Sequence, residues 1–446
     1  MTHGRIAAAR MMVGLGVACL ALLAPRLVAQ NQTPAERYWP QWRGPFASGV
    51  SRSANPPTDW SEAKNIRWKV EIPGRGSASP VVWGDRVFLL SAVPVGATGA
   101  AEHQPRGGLR APGTHRYIVL AIDRRTGRVV WQQTAREDIP HEGSHPENGT
   151  YASSSAVTDG EHVIAFFESQ GLYAYDMNGK LVWQKDLGKK SMRNQFGEGT
   201  TPALYGNHLI VVWDHQGASF VVALDKRTGA EVWRVPRREI DTWATPLIVE
   251  HNGRRQVIVP AMQRVRSYDL ETGAVVWESA GVTMNPIPSP VAADGMVFVM
   301  SGFAGNNLKA IRLADARGDI STSGAIAWTL NRDTPYVPSP LLYDGVLYFL
   351  KSNSGLLSAF DAKTGTPHYQ TQRLEGLPEV FASPVGTAGR VYIAGRDGVT
   401  LVIRHGPKYE VLAKNTLGDG FDASPALVEN EIYLRGYRYL YCIAAT

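Results

Sequence analysis

The chain has 446 residues, of which 45 are glycine, 28 are proline and 12 are tryptophan, and its formal net charge at pH 7 is +6. Basic and acidic side chains are interspersed rather than clustered, so a nucleic-acid partner is not expected. Two cysteines in the whole chain exclude a disulfide-rich scaffold and a Cys-rich metal site. The many glycines, prolines and tryptophans instead favour short strands joined by tight turns.

The first 29 residues have the order of regions found in a secretory signal peptide. Arg5 and Arg10 precede an apolar run over residues 11–24, and the small residue Ala29 ends the segment. The apolar run is short for a bilayer span, so we expect cleavage after Ala29 rather than retention as a membrane anchor. Cleavage lowers the formal charge to +3, and the mature protein is expected to be periplasmic or secreted, without a membrane span.

One phrase recurs along the chain: an apolar strand that ends at Asp, a turn with Thr-Gly or Asn-Gly, and a strand that ends in an aromatic residue. Asp can accept hydrogen bonds from the turn amides, Gly supplies a positive φ, and the aromatic side chain can pack between neighbouring sheets. Copies occupy residues 121–131, 174–183, 223–233, 267–277 and 359–369. The aromatic residues expected to dock between sheets are Trp68, Trp131, Trp183, Trp233, Trp277, Trp328 and Tyr369.

A second phrase, a hydroxyl residue usually followed by Pro and an apolar pair, opens each repeat. It starts at Ser79, Ser155, Thr201, Thr245, Ser289, Ser339, Ser383 and Ser424. After a first interval of 76 residues the starts are 41–50 residues apart, which is the length of one four-stranded blade. The last repeat lacks its aromatic strand, whereas residues 65–70 carry that pattern with no repeat before them. Pairing these two ends closes a ring, which favours a propeller over an open solenoid.

We therefore predict an all-β chain that forms one eight-bladed β-propeller of four-stranded antiparallel blades. Residues 1–29 are the signal peptide, residues 30–64 an N-terminal extended lead-in, and residues 65–446 the propeller, whose N-terminal strand joins the C-terminal blade. We expect the protein to be a monomer.

The phrase A-x-D-x-x-T-G-x-x-x-W, as in residues 121–131 and 223–233, resembles the tryptophan-docking motif of the pyrroloquinoline-quinone-like (PQQ-like) β-propeller repeat family. That family includes quinoprotein alcohol dehydrogenases and BamB, the propeller lipoprotein of the outer-membrane assembly machine. The resemblance covers residues 65–445, and residues 39–51 look like the lead-in of exported bacterial propellers of this class. It implies the fold but leaves the function open, because this fold carries enzymes, scaffolds and binding proteins.

The resemblance also raises the question of a quinone. Dehydrogenases of this family place it between a Trp floor and a ring formed by two adjacent cysteines, and they hold calcium with Glu, Asn and Asp. The mature chain has only Cys442, so that ring cannot form. Glu198, Asn285 and Asp422 lie at loop edges suited to the calcium ligands. We expect no cofactor, with PQQ and calcium as the alternative.

Residues 141–145 spell H-E-x-x-H, which binds zinc in peptidases when a helix places both histidines on one face. A glycine lies inside this copy and Pro146 follows it, so a helix is not expected. We predict a loop held by hydrogen bonds to its own backbone, and no metal site.

In the strand order of this family, the linkers between blades and the connections between second and third strands share one face. Polar and aromatic residues that converge there would form a funnel for a ligand or a peptide, although polar loops also make ordinary solvated rims. The candidate funnel residues are His141, His145, Asn148, Glu198, Trp243, Asn285, Arg332, Tyr336, Lys351, Arg396, Asp397, Asp422 and Arg435.

These features predict a non-catalytic binding or scaffold propeller of the bacterial envelope, which recognises a protein or a small ligand through its loop face. One alternative is a quinone- or metal-dependent oxidoreductase acting on alcohols or sugars, for which the sequence identifies no catalytic residues. A second is a glycan-processing enzyme with paired carboxylates such as Glu198 and Asp241, a chemistry that depends on the distance between the two groups.

Overall fold

The chain folds into the predicted eight-bladed β-propeller. The computed structural model describes Met1, residues 33–96 and 113–445, and the backbone of a small hairpin formed by Glu102–His103 and Leu109–Arg110. Residues 34–446 form one unit and residues 1–33 another, of which only Met1 and Thr33 are described. Apart from Met1, the predicted signal peptide thus lies outside the described residues. No helix in the described part of the chain has the length and apolar character needed to cross a bilayer.

Each blade is an antiparallel sheet whose strands follow one another from the inside outwards. The strands of blades 1 and 2 are Val81–Trp83, Arg86–Pro94, His115–Asp123 and Val129–Asp138, then Val157–Thr158, His162–Phe166, Leu172–Asp176 and Leu181–Lys185. Those of blades 3 and 4 are Ala203–Tyr205, His208–Trp213, Phe220–Asp225 and Glu231–Pro236, then Leu247–His251, Arg254–Val259, Arg264–Asp269 and Val275–Ala280.

The strands of blades 5 and 6 are Val291–Ala293, Met296–Ser301, Asn307–Arg312 and Ile326–Leu330, then Leu341–Tyr343, Val346–Leu350, Leu356–Asp361 and Pro367–Arg373. Blade 7 consists of Val385–Thr387, Arg390–Ala394, Val399–Arg404 and Val411–Thr416. Three short helical turns, Pro34–Arg37, Glu168–Gln170 and Arg193–Gln195, complete the regular structure. First strands of neighbouring blades contact one another and so surround the axis of the propeller.

Blade 8 combines both ends of the propeller. Its inner strands are Ala426–Val428, Glu431–Arg435 and Tyr439–Ala444, and its outer strand is Ile66–Glu71. The outer strand pairs antiparallel with the strand beside it, from Ile66 opposite Ile443 to Glu71 opposite Tyr439. This is the pairing expected from the two incomplete ends of the repeat, and it removes two open sheet edges.

A closed ring of hydrogen bonds joins the eight blades around the axis. The backbone N–H of the hydroxyl residue that opens each repeat donates to the side-chain oxygen of the equivalent residue in the next blade, at 2.9–3.1 Å. Ser424 completes this hydroxyl ring by donating to Ser79 at 2.9 Å. Most of these residues are buried, so each bond satisfies a donor that water does not reach.

Aromatic side chains on the outer strands connect each blade to the next. In the next blade, the turn between the third and fourth strands offers a backbone carbonyl, to which the indole N–H donates at 2.7–3.0 Å. The tryptophans that make this hydrogen bond are Trp68, Trp131, Trp183, Trp233 and Trp328. Each ring covers the glycine of that turn, where φ is positive and an added Cβ would lie 2.6–2.8 Å from the indole. Glycine is therefore required here, because the backbone has a positive φ and there is no room for a Cβ beside the indole.

Two of the expected docking aromatics make different contacts. The indole of Trp277 donates to the side chain of Gln256 in its own blade at 3.0 Å. In blade 5 the connection between third and fourth strands is longer, and its strand Gly318–Asp319 pairs in parallel with the strand of Trp277, so no short turn is available to the indole. Tyr369 packs against Tyr409 of blade 7 with ring centroids 6.0 Å apart.

The lead-in covers the axis at the face opposite the inter-blade linkers. Trp39 pairs with Val82 in blade 1, and further along the lead-in Val50 bridges to blade 7. Between them, Arg43 reaches into the axis and donates to the carbonyl oxygens of Pro340 and Pro384 at 2.5 and 2.6 Å. Burial without a carboxylate partner among the described residues lowers the pKa of Arg43 to about 9. The lead-in therefore blocks one end of the axis.

Removing one hydroxyl from the ring should destabilise the whole propeller. Ser339→Ala leaves the buried N–H of Ser289 without its acceptor, which costs about 1–3 kcal/mol. The urea midpoint of the Ser339→Ala variant is expected to fall accordingly. Ser339→Thr is the matched control, because Thr201 already fills an equivalent ring position and keeps the hydroxyl. An unchanged midpoint for the alanine variant would show that the ring contributes nothing to stability.

Candidate functional site

A pocket of about 200 Å³ lies on the face that carries the inter-blade linkers, which we call the linker face. All eight linkers contribute to it, so it is centred on the axis. It is lined by Ser77, His145, Asn148, Gly149, Ser153, Phe196, Glu198, Gly199, Trp243, Asn285, Ile287, Tyr336, Val337, Phe381 and Asp422. Seven predicted funnel residues are therefore brought together: His145, Asn148, Glu198, Trp243, Asn285, Tyr336 and Asp422.

Eight lining residues share one position in the repeat, two residues before the hydroxyl of the ring. They are Ser77, Ser153, Gly199, Trp243, Ile287, Val337, Phe381 and Asp422. Because the hydroxyl ring fixes the end of each linker at the axis, it also fixes these residues around the pocket. The linkers before blades 4 to 7 contribute large apolar side chains, and those before blades 1 to 3 contribute serine or glycine. The pocket thus has an apolar side and an open side of small residues.

The aromatic walls are held by contacts with neighbouring groups. The indole N–H of Trp243 donates to the carbonyl of Gly197 at 2.8 Å. The ring of Tyr336 stacks on Phe303, with centroids 4.8 Å apart. The guanidinium of Arg396 lies over the Phe381 ring, 4.4 Å from its centroid. These contacts pre-organise the walls, which lowers the ordering cost of binding.

Some polar groups of the pocket already have hydrogen-bond partners within the protein, and others do not. Asp422 accepts a hydrogen bond from Arg396 at 2.9 Å, and burial raises the pKa of Asp422 above its ordinary value. Asn285 is 3% exposed and adopts a left-handed backbone with φ of 54°. Its Oδ1 receives no hydrogen bond from any described residue. An unsatisfied buried acceptor of this kind suits a ligand donor.

Glu198 lies between this pocket and a second, narrower cavity. One of its oxygens accepts from the Ser169 N–H at 2.9 Å, and the other from the Ser169 hydroxyl. His141 Nε2 is 3.8 Å from the latter oxygen. Burial, together with the nearby Glu168, raises the pKa of Glu198 well above that of an ordinary glutamic acid.

Glu142 reaches the same narrow cavity from the preceding linker. Its Oε2 accepts from the Met192 N–H at 3.0 Å, whereas its Oε1 has no donor in the described part of the chain. Burial raises the pKa of Glu142 to about 7. Ligand atoms of His141, Glu142 and Glu198 all lie within 4.8 Å of one another, a grouping that was not predicted from the sequence.

The H-E-x-x-H segment is a loop, as expected, and no helix spans residues 141–145. His145 keeps the backbone contacts that were expected, since its carbonyl accepts from the Gly149 N–H at 2.9 Å. His141 instead contacts the next linker, with Nε2 2.6 Å from the Lys190 carbonyl. The two histidines therefore face different cavities, and the arrangement of a zinc peptidase is absent from this loop.

The other predicted funnel residues lie outside the pocket lining. Arg396 is adjacent, through its bond to Asp422. Lys351 forms an exposed ion pair with Asp333 at 2.8 Å, and Arg435 is buried, where it donates to the backbone of blade 1. Of the remainder, His141 lines the narrow cavity, Arg332 is exposed, and Asp397 accepts from the Val399 N–H. None of these six side chains contributes to the lining of the pocket.

The lining also contains four apolar residues that were not predicted from the sequence: Phe196, Ile287, Val337 and Phe381. The signal that finds three of them is positional: each lies two residues before a repeat hydroxyl. Asp241, which was considered as a partner of Glu198 in glycan chemistry, accepts from the backbone and side chain of Arg193 at 3.0 and 3.2 Å. It is therefore already paired.

The fold and the pocket define an eight-bladed propeller of PQQ-like repeats with a ligand-sized pocket on its linker face. Residues 58–217, 115–286, 170–319 and 261–446 match the family model described as "Outer membrane protein assembly factor BamB". The chain belongs to this family. The outer membrane protein assembly factor BamB of Yersinia pestis is 21% identical over 333 residues, which are 71% of this chain and 77% of that protein.

Solved structures show the same architecture at low identity. BamB from Moraxella catarrhalis superposes with a TM-score of 0.55 at 16% identity, covering 84% of this chain and 96% of that one. Quinohemoprotein alcohol dehydrogenase from Comamonas testosteroni gives a TM-score of 0.63 at 12% identity, covering 94% and 82% of the two chains. At these identities the likeness establishes the fold, and the site has to be judged from its own residues.

Glu142 should make the stability of the protein depend on pH. Its pKa is raised to about 7 from an ordinary 4.5, so between these values the folded state holds a proton that the unfolded chain releases. Stability is therefore lost as the pH rises from 4.5 to 7, by up to about 3 kcal/mol at about 1.4 kcal/mol per unit. Urea unfolding of the wild type and of Glu142→Gln, in buffer with a chelator, should show this difference.

The exposed Glu161 of blade 2 provides the matched control, since Glu161→Gln should keep the pH profile of the wild type. Parallel profiles for the wild type and Glu142→Gln would contradict the assignment of the raised pKa to Glu142.

Proposed function

We propose that this protein is an exported, non-catalytic binding propeller of the bacterial envelope, which recognises an envelope protein through the pocket on its linker face. The proposal rests on one observation above all: eight linkers converge on a single pocket with fixed aromatic walls. Membership of the BamB-type family and the signal-like N-terminus support the location in the envelope. The rigid blades hold the linkers in place, so little ordering entropy is lost on binding.

The dimensions of the pocket indicate what part of a partner it accepts. A cavity of about 150 Å³ holds one benzene molecule, so about 200 Å³ suits a single side chain or ring. The apolar side, with Trp243 and Phe381, favours an aromatic group or an aliphatic stem. Glu198 and Asn285 on the lining add acceptors for a donor at its tip. An aromatic or basic side chain in an exposed loop of the partner meets both conditions.

A photo-crosslinking experiment in cells tests the proposal. Phe303 stacks on Tyr336 at the pocket and is 37% exposed, so a benzoylphenylalanine at Phe303 reports on this face. We expect a discrete crosslink to an envelope protein from Phe303, and none from Val182, which is exposed on the outer strand of blade 2. Gly199→Leu in the same background should abolish the crosslink by filling the pocket.

Gly199→Ala is the control for that variant. An added Cβ at Gly199 meets Ser153 and Trp243 at 3.6 and 3.7 Å, which is ordinary contact, so the alanine variant should keep the crosslink. A crosslink that survives Gly199→Leu, or one that appears at Val182 alone, would assign recognition to another surface.

The alternative is a quinone-dependent oxidoreductase, and one observation favours it: Glu198, Asn285 and Asp422 line the same pocket as Trp243. The residues do not otherwise fit PQQ with calcium. Asp422, which would supply one of the calcium ligands, is paired with Arg396. The chain has two cysteines, at positions 19 and 442, so the ring of adjacent cysteines cannot form.

Isothermal titration with PQQ in the presence of calcium separates the two functions. We expect no binding and no quinone absorbance in the protein as isolated, because Asp422 is paired with Arg396 and the cysteine ring is missing. Near-stoichiometric, calcium-dependent binding would refute the binding-propeller proposal and direct attention to alcohol and sugar substrates. Bovine serum albumin at the same concentration serves as the control for non-specific quinone binding.

A further inference from the structure

Beside the pocket, two consecutive linkers bring an imidazole and two carboxylates together. His141 and Glu142 belong to the linker between blades 1 and 2, and Glu198 belongs to the linker between blades 2 and 3. Their ligand atoms lie within 4.8 Å of one another. All three line a cavity of about 30 Å³, which exceeds the roughly 10–15 Å³ that one water molecule needs. The space between them therefore suits a single small ion.

The charges around this cavity do not balance. The buried Lys190 forms an ion pair with Glu168, and Arg193 lies 3.2 Å from Asp241. Glu142 and Glu198 remain. Lys190 attracts both, but neither forms an ion pair with a lysine or arginine among the described residues. Two neighbouring carboxyl groups with so little exposure either keep a proton or need a cation that compensates their charge.

Glu142 supplies independent evidence for a missing partner. The residue is 8% exposed, and its Oε2 is used by the Met192 N–H. Its Oε1 faces no donor within the described part of the chain. Buried polar atoms are almost always satisfied, and a bound ion is one of the few explanations for an exception.

We propose that His141, Glu142 and Glu198 bind one divalent cation of the first transition row, of the Zn²⁺ or Mn²⁺ class. One imidazole and two carboxylates form a donor set that these ions accept, whereas Ca²⁺ prefers oxygen ligands alone. Ligands bonded at about 2.0–2.2 Å lie at most about 4.4 Å apart. In a tetrahedral site such ligands lie about 3.3–3.6 Å apart, so the side chains have to move inward on binding. His141 either binds through Nδ1 or moves its Nε2 away from the Lys190 carbonyl.

The bound ion joins the two linkers and holds the carboxylate that separates the two cavities. His145 takes no part, because its ring packs against Phe196 with centroids 4.8 Å apart. The site therefore differs from the helical H-E-x-x-H arrangement, in which the second histidine is a ligand.

Titration of the full chain, after dialysis against a chelator, tests the site with the metal ions alone. Calorimetry with Zn²⁺ should give one ion per chain. Glu142→Gln removes a ligand charge while keeping the size of the side chain, and it should weaken Zn²⁺ binding at least tenfold. Glu161→Gln, in the separate group of Asp159, Glu161 and His162, should bind within twofold of the wild type.

Cobalt provides a readout that needs no variant. Co²⁺ added to the metal-free wild type should give a visible absorption band that Zn²⁺ abolishes at one equivalent, even if Glu142→Gln fails to fold by circular dichroism. The proposal is overturned if Zn²⁺ and Co²⁺ do not bind, if a folded Glu142→Gln binds as tightly as the wild type, or if Ca²⁺ binds more tightly than Zn²⁺.

Discussion

The hydroxyl ring around the axis is the constraint on which the rest of the structure depends. Each of its bonds runs from a backbone N–H in one blade to a side-chain oxygen in the next, so it specifies both the distance between first strands and their offset along the axis. At all eight positions the acceptor is the hydroxyl of a serine or a threonine. The docked tryptophans carry out the same task at the outer edge. Together they hold eight sheets in one geometry from both sides.

The position of the pocket follows from that ring. A residue two positions before each hydroxyl has no freedom to leave the axis, whatever its chemistry, which explains why Ser77, Gly199 and Phe381 line the same cavity. The repeat therefore fixes where the pocket lies, and the side chains of the individual linkers decide its size and polarity. Glu198 and Asn285, which lie further along their linkers from the hydroxyl ring, make part of the lining polar.

Much of this could be predicted from the sequence, because the eight hydroxyl starts, the turn glycines and the unmatched strand at residues 65–70 each have a local signature. The pocket was predicted only in part. Asp422 is polar and lines the pocket, as predicted, whereas Lys351 is polar and does not. Lys351 follows the second strand of its blade, and each successive strand lies about 5 Å further from the axis. The grouping of Glu142 with Glu198 could not be predicted, because it depends on how two linkers of different length pass one another.

The shared eighth blade also has a consequence for biosynthesis. Ile66 pairs with Ile443, so the strand that is translated first finds its partner only when the last repeat has been made. At about 5–20 residues per second, the ribosome needs roughly 20–75 s to cover that distance. During this interval the N-terminal strand has no sheet to join, and Trp68, which covers the turn of the first blade, is not held in place by the rest of its own blade. Protection of that segment by other factors, or delay of folding until the chain is complete, is thus a requirement of the architecture itself.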